Sequence, residues 1–280
     1  MEKLTITQQK RITELNGDIM LLKKEFETKE ERDKFFREAE KELVQKSRNN
    51  LKQLLNEKHV PTTVSSGRIL EEWLTSEGFT KVITPTMISR EMLAGMTIDQ
   101  EHKLFDQVFW LDQKKCLRPM LAPNLYVVMR ELRRITNEAV KIYEIGSCFR
   151  KESQGAQHLN EFTMLNCVEL AEIEEGGQLE ELKRLAKKSM EVLEIPKSRY
   201  ELVIEKSTVY GHTMDIEVNG LEVASGSYGP HALDANWGIF DTWVGFGFGI
   251  ERLIMAMSGS RTIKRFGKSI IFLDGEPLNI

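Results

Sequence analysis

The feature that most limits the fold is a hairpin signal, Asn219-Gly220, between two short runs of alternating apolar residues at 214–218 and 221–225. An Asn-Gly pair favours a tight two-residue turn, because both residues tolerate positive φ. Two further alternating runs, 140–150 and 162–170, are joined by a short polar loop. Antiparallel hairpins with helices between them are typical of an α+β fold, not of a doubly wound parallel sheet.

A helical N-terminal arm precedes this pattern. Residues 28–31 have the spacing of a capping box, and apolar residues recur behind them at near four-residue steps. An earlier helix is expected over residues 5–26, broken at Asn16-Gly17. Since Pro61 marks a boundary, the sequence predicts a helical arm over 1–60 and one larger domain over 61–280. As a residue pattern the arm favours a packed appendage, with an RNA-contacting arm as the alternative.

Shorter elements fill the larger domain. Gly78 and Pro196 are placed to end helices, whereas Ser89 and Pro123 are placed to begin them. The expected elements are a helix over 66–77, a strand over 81–85, a hairpin over 108–111 and 116–118, helices over 123–132 and 179–193, a strand over 243–248 and a helix over 250–257.

The composition is that of an ordinary globular protein, with 41% apolar and 29% charged residues. The formal net charge of −4 argues against non-specific polyanion binding without excluding a local basic face. No apolar run is long enough to span a bilayer and the N-terminus lacks a signal-peptide core, so we expect a cytoplasmic protein. Cys116, Cys148 and Cys167 have no metal-ligand spacing, so neither a cysteine metal site nor a disulfide framework is expected.

Arg150 ends the first of the paired alternating runs and is followed by a polar loop with Glu152 and His158. A guanidinium can bind phosphate oxygens in a bidentate manner, which a lysine cannot. Glu152 can accept a hydrogen bond from an exocyclic amine, and Phe162 can stack on an adenine face. Taken alone, the segment is equally well explained as a surface ion pair between Arg150 and Glu152.

Gly245, Gly247 and Gly249 alternate with phenylalanines in a run that leads into a helix. Alternate glycines remove the side chains from one strand face, so that a flat ligand can lie on the backbone. Arg252 falls in the first turn of the helix, where an arginine and a helix N-terminus together attract an anion. No β-α-β pattern surrounds the run, so it is not a dinucleotide-binding turn.

The Arg150 and Arg252 segments together resemble motifs 2 and 3 of the class II aminoacyl-tRNA synthetases, and residues 66–77 with 82–85 resemble motif 1. The resemblance covers most of 61–280. It implies an antiparallel sheet flanked by helices, ATP bent across that sheet, Mg²⁺, and a homodimer formed through motif 1. It also implies that Arg150 holds the α-phosphate, Arg252 the γ-phosphate, and that Glu222 and Ser225 carry the Mg²⁺. The ATP-binding and metal residues that it implies are Arg150, Glu152, His158, Leu159, Phe162, Glu222, Ser225 and Arg252.

A closer resemblance is to the pyrrolysyl-tRNA synthetase family, of the bacterial type whose catalytic polypeptide is separate. It rests on RPMLAPNLY (118–126), HLNEFTMLN (158–166) and GFGFGIERL (245–253). It implies pyrrolysine or a similar bulky Nε-acylated lysine as substrate and the cognate tRNA as partner. The family's tRNA-binding module has no counterpart in these residues, so a separate polypeptide supplies it or the system lacks it. The substrate-binding residues that the resemblance implies are Ala122, Leu125, Tyr126, Met129, Asn166, Val168, Tyr210, Trp243 and Gly245.

Strand alternation agrees with this pocket, because Asn166 and Val168 are two apart and share a face. In the resembling family the Asn166 position reads the carbonyl of the substrate's side-chain amide; without the resemblance, a buried amide bonded to the backbone explains Asn166 as well. Met129, Val168 and His212 depart from the residues common in the family, which leaves the substrate range open.

Two other functions are considered. One is a paralogue that activates or binds an amino acid without charging tRNA. The other is a non-catalytic regulatory module, against which the intact phosphate-binding residues argue.

Overall fold

The computed structural model describes residues 1–151, 155, 157–207 and 209–280. Glu152, predicted to bind ATP, lies outside the described residues. The helices are α1 (Ile6–Glu14), α2 (Ile19–Leu22), α3 (Lys29–Asn56), α4 (Thr62–Ser76), α5 (Arg90–Gly95), α6 (Lys103–Gln107), α7 (Ala122–Thr136), α8 (Gln178–Val192) and α9 (Ile250–Ser258). The strands are β1 (Glu2–Lys3), β2 (Glu25–Phe26), β3 (Thr80–Lys81), β4 (Met87–Ser89), β5 (Lys115–Leu117), β6 (Val140–Phe149), β7 (Glu161–Leu170), β8 (Tyr200–Ser207), β9 (Gly211–Val218), β10 (Leu221–Gly229), β11 (Trp243–Gly249), β12 (Phe272–Leu273) and β13 (Glu276–Pro277).

The chain divides into two compact units, Met1–Pro61 with Ser269–Ile280, and Thr62–Lys268. Each unit has apolar clusters of its own, around Ile12 in the first unit and on both faces of a sheet in the second. Among the described residues, no helix is long and apolar enough to cross a membrane.

The first unit is built around the long helix α3. The Thr28 hydroxyl accepts a hydrogen bond from the Glu31 backbone N–H at 3.2 Å, but the Glu31 carboxylate accepts from Glu27 and not from Thr28, so half of the predicted capping box forms. The break at Asn16 is confirmed, because its φ is 59°. The prediction that the earlier helix continues to Phe26 is wrong: Glu25–Phe26 pairs with Glu2–Lys3 as a small antiparallel sheet.

In the second unit, the described strands form a seven-stranded sheet in the order β3-β6-β7-β11-β10-β9-β8. Its neighbouring strands are antiparallel except β3 and β6, which are parallel. The predicted hairpin joins β9 and β10 through Asn219 and Gly220, whose φ values are 52° and 75°. The α+β fold is therefore confirmed. The edge strand β8 was not predicted, because charged and exposed residues dominate it.

Helices cover the two sheet faces differently. Helices α4, α8 and α9 pack on one face, against residues such as Leu165, Phe246 and Phe248. On the other face, α7 packs beside β6, β7 and β11, where Met129 contributes to a second apolar cluster with Trp243. The rest of this second face carries the cavities that form the candidate site.

One of the shorter predicted elements needs correction, and another has an additional strand partner. The strand expected over 81–85 ends at Lys81, because the backbone N–H of Thr84 instead donates to the Glu144 carboxylate at 3.1 Å. The predicted hairpin forms, with a bridge between Trp110 and Cys116 and backbone hydrogen bonds from Leu111 to Lys115 and from Leu117 to Phe109, but its second arm, β5, also pairs with β4, which was not predicted. The helices expected at Ser89 and Pro123 are confirmed.

Candidate active site

Two adjoining cavities lie on the second face of the sheet. We call them the aromatic cavity, of about 200 Å³, and the charged cavity, of about 330 Å³. Six described residues line both cavities: Met120, Arg150, Met164, Tyr210, Thr213 and Ser225. The predicted substrate-binding residues all line the aromatic cavity: Ala122, Leu125, Tyr126, Met129, Asn166, Val168, Tyr210, Trp243 and Gly245. The predicted ATP-binding and metal residues within the described part of the chain all line the charged cavity: Arg150, His158, Leu159, Phe162, Glu222, Ser225 and Arg252.

The glycines of β11 open the floor of the aromatic cavity. Gly247 lies in register between Asn166 on β7 and Ser225 on β10, so these three positions form one row across the sheet. A Cβ atom on Gly247 would lie 3.0 Å from the Asn166 side-chain nitrogen, and one on Gly245 would lie 3.0 Å from the Cys167 carbonyl oxygen. The glycine spacing therefore leaves the space in which Asn166 stands.

A buried carboxylate, Asp234, holds the aromatic wall together. Its side chain accepts hydrogen bonds from the Tyr126 hydroxyl and the Trp243 indole N–H, each at 2.7 Å. Tyr126 also stacks on Trp237 with ring centroids 5.2 Å apart, and Tyr210 meets Trp243 edge-on at 6.1 Å. Burial, with Tyr210 and Asp234 close by, raises the pKa of Tyr126 far above its usual value, so this phenol remains a hydrogen-bond donor.

A second, buried arginine, Arg118, fixes the segment that contacts Arg150. Arg118 forms an ion pair with Glu144 at 2.8 Å, with both side chains less than 5% exposed, and also donates to the Ser147 carbonyl oxygen. The segment fixed in this way presents the Pro119 carbonyl oxygen, which accepts from Arg150 Nε at 2.9 Å. Arg150 lines both cavities, and its guanidinium carbon lies 5.3 Å from the Phe162 ring centroid.

Arg252 is held at the first turn of α9 by its neighbour, Glu251. The Glu251 carboxylate is 1% exposed, and both of its oxygens accept from the Thr163 backbone N–H, at 3.0 and 2.8 Å. This contact ties the start of α9 to β7. Arg252 Nη1 lies 3.5 Å from Glu222 Oε1 across the mouth of the charged cavity. Burial raises the pKa of Glu222, and Arg252 opposes that change.

The sequence profile of the "tRNA synthetases class II core domain (F)" matches residues 5–274. The chain belongs to the class II aminoacyl-tRNA synthetases.

Two solved structures of a pyrrolysyl-tRNA synthetase from Desulfitobacterium hafniense are similar over the whole chain. One is 46% identical with a TM-score of 0.92 and covers 100% of both chains. The other is 45% identical with a TM-score of 0.90 and covers 100% of this chain and 96% of the other. Within class II, the chain is therefore a member of the pyrrolysyl-tRNA synthetase family, and the identification made from its sequence is confirmed.

A more distant relative is the O-phosphoserine–tRNA(Cys) ligase of Methanopyrus kandleri, 24% identical over 184 residues. The match covers 60% of this chain but only 33% of that ligase, so the chain spans about a third of the length of this relative. All these relatives are tRNA ligases, and none favours a paralogue that has lost tRNA charging.

For a class II enzyme the metal site must supply hard oxygen atoms, and β10 provides two. The β9–β10 register shifts between Glu222 and Ala224, so Glu222 pairs with Glu217, and Ser225 pairs with Asp215. Because Glu217 and Asp215 are two apart, this shift turns Glu222 and Ser225 to the same face although they are three apart. Their side-chain oxygens can both reach the charged cavity.

This donor set fits Mg²⁺, which commonly takes one or two protein carboxylates and completes its shell with phosphate oxygens and water. The Ser225 hydroxyl donates to Asp215 at 2.6 Å, so a second carboxylate stands directly behind the pair. In the described part of the chain, no three His, Cys, Asp or Glu side chains are grouped as ligands of a metal ion.

Several residues of this synthetase site were missed from the sequence. Arg118 lies in RPMLAPNLY and Glu251 lies in GFGFGIERL, two segments on which the family resemblance rests, yet no role was expected for either residue. Asp234 belongs to an irregular turn with no periodicity to mark it. Ser227 lines the aromatic cavity two residues beyond Ser225, and strand alternation on β10 could have placed it there.

Proposed function

We propose that this protein uses ATP to activate pyrrolysine, or a similar bulky Nε-acylated lysine, and transfers the aminoacyl group to its cognate tRNA. One observation carries the proposal: an aromatic cavity with one amide side chain, Asn166, opens into a charged cavity with Arg150 and Arg252. A long amino acid can therefore place its tail among aromatic rings and its carboxylate beside a triphosphate.

The amide of Asn166 supports an amide-bearing or carbamate-bearing side chain. Asn166 Oδ1 is buried and has no hydrogen-bond partner among the described residues. Leaving such an acceptor unpaired costs about 1–3 kcal/mol, which a ligand N–H can recover. The side-chain nitrogen of the same amide can then donate to the acyl carbonyl of that ligand.

The charged cavity suits adenylate formation by positioning and charge stabilisation. A carboxylate oxygen of the amino acid attacks the α-phosphorus, its O–P bond forms, and the bond to the bridging oxygen breaks as pyrophosphate leaves. Arg150 would stabilise the charge that grows on the α-phosphate oxygens, while Arg252 would hold the γ-phosphate. A tRNA ribose hydroxyl then attacks the acyl carbon, and AMP leaves.

Further parts of the proposal concern the metal and the partners. Glu222 and Ser225 would hold Mg²⁺, which supplies positive charge to the leaving pyrophosphate when bound. We also propose a homodimer through the motif 1 segment, contact of the residue 1–60 arm with tRNA, and a separate tRNA-binding polypeptide where the system has one. We also propose a cytoplasmic location, because ATP and tRNA are available there for charging.

The test is amino-acid-dependent pyrophosphate exchange with pyrrolysine, a carbamate-bearing lysine and lysine in parallel, followed by charging of the pyrrolysine tRNA. Exchange and charging with the first two compounds, and neither with lysine, is the expected result. Exchange without charging would support the paralogue that only activates an amino acid, and preference for lysine would refute the proposed substrate class.

A further inference from the structure

The Ser227 hydroxyl is a polar group that the proposed chemistry does not use. Ser227 is 6% exposed and lines the aromatic cavity. Among the described residues, its Oγ atom has no hydrogen-bond partner. Other serine hydroxyls of the same unit are bonded: Ser225 donates to Asp215 at 2.6 Å, and buried Ser189 donates to the Ala186 carbonyl oxygen at 2.8 Å. The Ser227 hydroxyl therefore has unused hydrogen-bonding capacity at the cavity wall.

The register of the sheet gives the depth of this hydroxyl. Asn166, Gly247 and Ser225 form one row, and Val168, Gly245 and Ser227 form the next. Two residues along a strand correspond to about 7 Å. The second row lies on the side of the first that is away from Arg252, since Gly249, the residue that precedes α9, is in register with Met164.

This depth determines which part of a substrate meets Ser227. A ligand with its carboxylate near Arg150 and its amide at Asn166 extends its tail toward Trp243, across the Ser227 row. Gly245 has no side chain between Ser227 and Val168, so the tail can approach the hydroxyl directly. A serine hydroxyl can donate to an acceptor atom, and a buried one gains more from doing so than an exposed one.

We propose that Ser227 is a specificity-determining residue that donates a hydrogen bond to an acceptor atom in the substrate tail, beyond the acyl carbonyl. The preferred substrates are thus Nε-acyl-lysines whose terminal ring or chain carries an oxygen or nitrogen acceptor. This assignment rests on the proposed function and deepens it.

The test uses two compounds that differ in one atom group, Nε-(oxolane-2-carbonyl)lysine and Nε-(cyclopentanecarbonyl)lysine. With Ser227→Ala, kcat/KM for pyrophosphate exchange should fall about tenfold for the oxolane compound and stay within about twofold for the cyclopentane compound. Ser189→Ala is the matched control, because it also removes a buried hydroxyl from the same unit; it should change the two values equally.

A thermal measurement separates specificity from folding. Since the hydroxyl has no protein partner among the described residues, Ser227→Ala should not lower the Tm of the ligand-free enzyme, whereas Ser189→Ala should lower it. Ser227→Cys, with a weaker donor of similar size, should give an intermediate preference for the oxolane compound. It also serves as the second variant if Ser227→Ala folds poorly.

The outcomes distinguish the two levels of the proposal. If the wild-type enzyme activates both compounds and Ser227→Ala leaves their ratio unchanged, the Ser227 assignment is overturned while the proposed function stands. A lower Tm for Ser227→Ala with equal losses for both compounds assigns Ser227 a structural role. If the wild-type enzyme activates neither compound nor pyrrolysine, the proposed function fails, and the Ser227 assignment fails with it.

Discussion

The charged cavity and the aromatic cavity lie on one sheet face but differ in whether their key polar groups already have protein partners. In the charged cavity, Arg150 contacts Pro119, and Arg252 contacts Glu222. In the aromatic cavity, Asn166 Oδ1 and Ser227 Oγ have no partner among the described residues. A triphosphate therefore meets arginines that protein contacts already orient, whereas an amino-acid side chain meets polar atoms without a hydrogen-bond partner among the described residues. The first cavity therefore presents charged groups that the protein holds in place, and the second presents polar atoms with which a ligand can form hydrogen bonds.

The largest expected effect comes from removing a charge that the triphosphate needs. Arg150→Ala or Arg252→Ala should lower amino-acid-dependent pyrophosphate exchange by about 100- to 1000-fold, because each removes a donor at developing charge. Arg134→Ala is the control, since Arg134 is exposed on α7 and pairs only with Glu131 among the described residues. Near-normal exchange in either cavity variant would contradict the assignment of the charged cavity.

The next largest effect tests the polar atoms of the aromatic cavity that have no partner among the described residues. Asn166→Ala should raise KM for an Nε-acyl-lysine by about 10- to 100-fold and leave KM for ATP nearly unchanged, because the ligand amide loses its partner. Steady-state exchange kinetics with each substrate varied in turn measure both values. Equal changes in the two KM values would mean that Asn166 is structural, and the contrast between the cavities would fail.

A smaller effect is expected behind the aromatic wall. Asp234→Asn keeps the shape of the side chain but replaces one acceptor oxygen with an NH2 donor. The variant therefore loses the hydrogen bond from either Tyr126 or Trp243. It should lower the free energy of unfolding by about 1–3 kcal/mol and raise KM for the amino acid more than KM for ATP. Urea denaturation measures the free energy of unfolding, and steady-state pyrophosphate-exchange kinetics measure the two KM values. If the variant is less stable but its KM values are unchanged, Asp234 does not contribute to substrate binding in the cavity.

The smallest expected effect concerns Glu169, which lies on the face of β7 opposite that of Asn166. Burial, with Glu181 nearby, raises the pKa of Glu169 to about 7, and Lys141 opposes that change. A raised carboxyl pKa contributes stability below the unfolded pKa of about 4.5 that is lost as the pH rises to about 7. The pKa of Glu181 is lowered, which offsets part of this loss.

Glu169→Gln should therefore flatten the stability profile between pH 4.5 and 7 and add about 1 kcal/mol at pH 8, measured by denaturation across that range. Its effect on KM for the amino acid should be negligible. A steeper profile in the variant, or a change in KM, would show that the polar groups on the two faces of β7 are not independent.

Alternation and glycine spacing, together with the resemblance to the pyrrolysyl-tRNA synthetase family, made much of this site predictable. The positions of Arg150, Asn166 and Gly247 follow from two strands and one glycine-spaced run, and the structure places them on one face. What could not be predicted depends on contacts between distant segments. Asp234 acts through an irregular turn, and the helix expected to reach Phe26 gives way to strand pairing with Glu2–Lys3, because that pairing is decided outside the local sequence.

The register shift at Val223 has a consequence for how this enzyme can vary. Lengthening the Asn219-Gly220 turn would leave the rest of β10 as it is. Inserting one residue into β9 opposite Val223, by contrast, would restore regular alternation and turn Glu222 to the face opposite Ser225, separating the two oxygen donors. Evolution and engineering should therefore find insertions tolerable at the hairpin tip, while one residue inserted between Ile216 and Glu217 would separate the two donors of the proposed metal site and leave the sheet paired.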